Sequence, residues 1–168
     1  DVAFVDMRVA VSVSPTGSTR WSEITVPAGT SAMWLVPVRP GAAVDWAPAR
    51  WLDALDDATA PRILPPAYVF PACAVRTGPE TPQPWTTPRS KQPPSPVTIH
   101  STADSARAYV TEHGYRLSAD VASRISALYA GGWNLVAAEM TASSSAQTST
   151  TLRVSDDGGA ILPLALTG

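Results

Sequence analysis

Three side chains in this sequence have the chemistry of a nucleophile and its base: Cys73, His100 and His113. A thiol beside an imidazole can act as a thiolate nucleophile, provided that a helix N-terminus or a cation lowers its pKa. Cys73 lies in VFPACAV, an apolar, strand-like setting in which a free cysteine packs as a small hydrophobe. Being the one cysteine, it can form no disulfide within the chain. His113 stands just before Gly114, at the C-terminus of an expected helix, where a cation is favoured by the helix dipole. His100 follows a short strand and reads as a loop or capping residue. Two histidines and one cysteine do not make a zinc site of Cys/His type, so no metal or cofactor is expected.

The acidic clusters have plainer readings. Asp53, Asp56 and Asp57 share one short helix, whereas calcium prefers loops with backbone carbonyls and a sharp glycine turn. They read as a hydrated face that opposes the helix dipole, with Arg62 as the expected salt-bridge partner. Asp156 and Asp157 precede Gly158-Gly159, which is turn chemistry. Among six tryptophans, Trp85 stands apart, in PQPWTTP, with no apolar periodicity around it. It is the candidate ligand or partner contact: a pin for its loop when buried, a stacking platform for a sugar or a protein when exposed. The other five, Trp21, Trp34, Trp46, Trp51 and Trp133, lie in or beside expected elements and are assigned to the core.

A chain of 168 residues can bury one hydrophobic core and is short for two, so residues 1–168 are expected to form a single domain. A net charge of −2 argues against a phosphate-backbone binder, which would need a basic stripe. There is no apolar run of about 20 residues, so no membrane span is expected. No targeting segment is visible, and the chain opens inside a strand pattern, so it reads as a fragment of a longer protein.

The elements follow from periodicity and punctuation. Ala3, Val5, Met7, Val9, Val11 and Val13 alternate as a strand whose odd positions face inward. Arg20 to Val26 and Ala32 to Val38 follow after tight turns, and the three strands are expected to form an antiparallel meander. Pro37 must end its strand or lie at a sheet edge. Asp45 is expected to cap a helix that buries Trp51, Leu52 and Leu55 and stops before Pro61.

Eleven of the 17 prolines then fall between Pro61 and Pro96, with one interrupted strand at Tyr68 to Val75 and an extended loop over 77–96. Val97 to Ile99 restarts a strand. Ser101 with Asp104 has capping-box spacing for a helix from Thr102 to His113. Ser118 caps another helix, with Val121, Ile125, Leu128 and Tyr129 as its apolar stripe. Trp133 to Met140 is a strand and Thr141 to Ser149 a polar, flexible loop. Thr151 to Val154 and Ala160 to Leu166 are expected to pair as a hairpin. The fold class is α+β: a mostly antiparallel sheet with a strand meander, three short helices and a long proline-rich loop.

These elements, in this order, resemble the bacterial family catalogued as domain of unknown function 2330. The resemblance rests on AMWLVPVRPG, WLDALDDATAPRILPP, VTIHSTADSARAYVTEHGYRLS, YAGGWNLVAAEM and ILPLAL, and covers most of the chain from Met7 to Leu166. It implies an exported, extracytoplasmic protein and supplies no activity, cofactor or active-site residue. Together with the scarcity of histidine, it points to a non-catalytic binding or structural module whose partner is a protein or a cell-surface glycan, met through Trp85. The alternatives are a thiol-dependent hydrolase or acyl transferase built on Cys73 and His100, and a carbohydrate- or cell-wall-binding domain.

Overall fold

The computed structural model describes residues 6–61, 91–142 and 144–159. They build two mostly antiparallel sheets and three helices, as expected of an α+β chain. The first sheet holds β1 (Asp6–Ser14), β2 (Gly17–Val26), β4 (Ala43–Trp46), β7 (Gln147–Thr148) and β8 (Leu152–Asp156). Its order is β1-β2-β8-β4, with β7 also paired to β2. The second holds β3 (Ser31–Val38), β5 (Thr98–His100) and β6 (Asn134–Thr141), in the order β3-β6-β5.

The inner faces of the two sheets share one core. Ile24, Val26, Leu152 and Val154 from the first sheet meet Trp34, Val36, Val38, Val136, Ala138 and Met140 from the second. Helices α2 (Ala103–Glu112) and α3 (Ala119–Ala130) cover the other face of the second sheet, where Ala106, Ile125 and Leu128 pack with Leu135 and Leu35. The stripe Val121, Ile125, Leu128 and Tyr129 faces that layer as its spacing predicts, and Ser118 accepts from the Val121 amide as the cap. The α2 cap lies one residue later than expected: Thr102, not Ser101, takes the Ser105 amide.

Helix α1 (Trp51–Thr59) lies on the outer face of the first sheet, with Leu52 buried and the Trp51 ring stacked on Trp21 at 4.4 Å. It ends before Pro61 as predicted, but Asp45 does not cap it. Asp45 belongs to β4, opposite Arg153 on β8, and that guanidinium grips its carboxylate with two hydrogen bonds.

The meander does not form. The second edge of β2 is taken by β7 and β8, and the turn through Gly29, at φ 71°, sends β3 into the other sheet. There β3 lies at the edge, where Pro37 is tolerated, paired in register with Leu135. Both hydrogen-bonding edges of β8 are occupied, one by β2 and the other by β4; Ala160 to Leu166, the partner expected in a hairpin with Thr151 to Val154, lies outside the described residues.

The odd positions of β1 point to the same side as Ile24, as the alternation requires, yet they are not buried. The second sheet does not reach over them. The polar segment before β8 is, by contrast, far from solvent: Thr148, Ser149, Thr150 and Thr151 are all buried. Cys73, Trp85, Arg62, the Tyr68 to Val75 strand and most of the proline-rich loop lie outside the described residues.

Candidate functional site

The most concentrated chemistry sits on the outer face of the first sheet, beneath α1. It begins with a tight turn. Because only Pro15 and Thr16 separate β1 from β2, Ser14 pairs with Gly17 and the register places Arg8 directly opposite Glu23. On the other side of β2, the pairing passes from Thr25 with Thr148 to Ser22 with Leu152. The strand formed by β7 and β8 therefore carries one extra residue there, a bulge around Ser149 to Thr151. Ser149 fills the gap in the ladder: its hydroxyl accepts from the Ile24 amide, while its own amide donates to the Ile24 carbonyl. The bulge also brings the Thr151 hydroxyl onto Glu23.

Glu23 is 1% exposed. A buried carboxylate is tolerated only when it is paired and hydrogen-bonded. Its Oε1 accepts from Lys91 Nζ at 2.6 Å and from Thr151 Oγ1, and its Oε2 accepts from Arg8 at 3.2 Å. Arg8 continues to α1, bonding Asp53 at 2.7 Å and also Asp56. Lys91 reaches Asp53 as well, at 3.3 Å. Burial alone would raise the Asp53 carboxyl, but the hydrogen bonds and charges of Arg8 and Lys91 outweigh it and hold the group below its ordinary range. Asp53 and Asp56 are thus ion-paired members of a network tying β1, β2 and α1 to the chain that returns at Lys91, and not simply a hydrated face.

The return is fastened by main chain too. Lys91 bridges Thr148, and the Gln92 amide donates to the Thr148 carbonyl at 2.8 Å. The Gln92 side chain accepts from the Thr141 amide, and its carbonyl accepts from Thr150 Oγ1. Nearby, Trp46 Nε1 donates to the Ser95 carbonyl.

The charges are matched to one another: both Glu23 oxygens are engaged, and the Lys91 ammonium faces two carboxylates. Among the described residues, no three His, Cys, Asp or Glu side chains gather as metal ligands would.

His100 is 5% exposed, so it is a buried residue and not an open loop position. Its Nδ1 lies 2.9 Å from Ser105 Oγ, its ring is 4.7 Å from Tyr109, and its carbonyl accepts from Tyr129. Among the described residues Nε2 has no hydrogen-bond partner although it is buried, and burial lowers the pKa of the imidazole. His113 caps the end of α2 as expected, its Nδ1 donating to the Tyr109 carbonyl at 2.8 Å. The Cys73 half of a thiol–imidazole pair lies outside the described residues.

Arg8, Glu23, Lys91 and Thr151 were not singled out by sequence reasoning. The turn length alone would have paired Arg8 with Glu23. Lys91 also carried a signal, as the only lysine in the chain. Thr151 depends on a bulge made with a strand some 130 residues away, which no local pattern reports. No family model matches this chain, and no curated protein or solved structure matches it either.

Proposed function

We propose that this chain is a non-catalytic extracytoplasmic module, binding or structural, whose two-sheet body serves as a mount for the proline-rich stretch. One observation carries the reading: Lys91 bridges Glu23 and Asp53, so the chain re-enters the body beside the helix from which it departs. A scaffold that presents a segment benefits from holding both ends at one rigid place, and function concentrates on segments so held. The mutual pairing of the charges beneath α1 supports a mechanical role for the cluster in preference to an acid–base one. Trp85 is the contact residue of this reading, toward a protein or a cell-surface glycan, and the resemblance to domain of unknown function 2330 supplies the exported setting.

The test compares native pull-downs and glycan-array binding of the intact chain with a variant lacking residues 77–88 and with Trp85→Ala. The deletion stops short of Lys91 because Lys91 and Gln92 fasten the body. Loss of the captured partner in both variants, with unchanged thermal unfolding, is the expected result. Binding that survives both would remove the stretch from the function.

A further inference from the structure

We propose that the outer edge of β1 is a docking site for one extended peptide strand with apolar side chains at alternate positions. The proposal is independent of the proline-rich stretch.

Among the described residues β1 pairs only with β2, and it does so through nine consecutive positions without a bulge. The two-residue turn makes Ser14 and Gly17 the pair that exchanges both main-chain hydrogen bonds. By alternation, the main-chain N–H and C=O groups of Met7, Val9, Val11 and Val13 point away from β2. These same residues carry the exposed apolar stripe, with exposures of 42%, 37%, 39% and 64%. One row of positions therefore presents both a ladder to be completed and a greasy surface to be covered.

Edge strands are normally protected by lysine, proline, bulges or short length. β1 has no lysine, no proline and no bulge, and its nine residues span about 30 Å. Its one cation, Arg8, is turned to the other face and matched by Glu23, Asp53 and Asp56. Toward its end the strand offers Ala10, Ser12 and Ser14 on that other face, all small and uncharged. A charged partner finds nothing there to pair with.

Area decides between a second copy and a single strand. The four side chains leave roughly 300 Å² of apolar surface, the scale of the largest patch on an ordinary monomer. A stable dimer buries about 800 Å² on each partner. The edge falls short of that, and it suits strand addition, in which main-chain hydrogen bonds give affinity and alternate side chains give selectivity.

The probe is a capped nine-residue peptide alternating valine and threonine, titrated into the whole chain and followed by NMR and amide exchange. In the free protein the amides of Val9, Val11 and Val13 should exchange quickly, and saturating peptide should protect them. Val11→Lys should weaken binding at least tenfold while leaving the unfolding temperature unchanged, with Val13→Lys as the second variant should the first misfold. The peptide N-methylated at alternate residues should not bind. The proposal is overturned by absence of binding at millimolar peptide, or by binding indifferent to N-methylation or to both lysine variants. It is equally overturned by edge amides already protected in the free monomer, or by sedimentation showing a dimer that Val11→Lys dissociates.

Discussion

Replacing Lys91 by methionine removes one of the two cations that face the Glu23 carboxylate while keeping the aliphatic stem in place. Uncovering a buried charge by deleting its partner costs about 3–5 kcal/mol when nothing remains to compensate. Here Arg8 stays at 3.2 Å and Thr151 still donates, so the loss should be smaller, about 2–3 kcal/mol. For a chain of this length each kcal/mol lowers the midpoint by about 2–4 °C, which places the variant roughly 5–10 °C below the parent. Adding Glu23→Gln should restore part of the loss, because a neutral amide beside methionine leaves no buried charge unmatched. The two substitutions together should then be milder than their sum by about 1–2 kcal/mol. Urea unfolding of the four proteins of the cycle measures this directly. A Lys91→Met variant within 0.5 kcal/mol of the parent, or strict additivity with Glu23→Gln, would refute the view of the cluster as a coupled anchor.

Three further outcomes follow from the same geometry. Burial lowers the His100 pKa below 6.5, so below that pH the unfolded chain takes up a proton that the folded chain refuses. The stability associated with neutral His100 should be intact above pH 6.5 and drain away as pH falls through the lowered native value; His100→Gln should flatten this part of a denaturation–pH profile, and an unchanged slope would count against it. The Tyr115 phenol, pushed up to about 12 by burial and then by its hydrogen bond to Glu139, should move toward 10 in Glu139→Gln by ultraviolet titration, though burial should keep it above that value. Trp51→Ala should destabilise by about 2–3 kcal/mol, with about 1 kcal/mol of that coupled to Trp21 in a double-mutant cycle, and zero coupling would mean that the stack only fills space.

How far the sequence could be read depended on whether a signal was local. The α3 stripe and its Ser118 cap, the stop before Pro61 and the edge position forced by Pro37 all rest on neighbours within a few residues, and each is found where it was expected. Strand partners are another matter. Alternation in β1 correctly says which side chains share a face, but not whether a second layer extends far enough to cover them. Pairing of β2 with β3 is the economical assumption for consecutive strands, and it fails because β8, from the far end of the chain, outcompetes β3 for that edge. The Ser/Thr run before β8 looks like a linker by composition, yet its hydroxyls all find partners on other segments: Thr148 with Thr25 at 2.8 Å, Ser149 with the Ile24 amide, Thr150 with the Gln92 carbonyl and Thr151 with Glu23. The anchor beneath α1 combines three such distant placements and so left only two faint traces, a turn length and a solitary lysine.

The position of β8 between β2 and β4 also governs the order in which the molecule can assemble. During synthesis the first hairpin leaves the ribosome long before its central neighbour exists, and β4 has nothing to lie against until Leu152 to Asp156 are made. Closing contacts across so many residues is entropically slow. The first sheet must therefore wait for β8, and a nascent chain halted at residue 150 would hold an incomplete sheet with its greasy inner face uncovered and prone to aggregate.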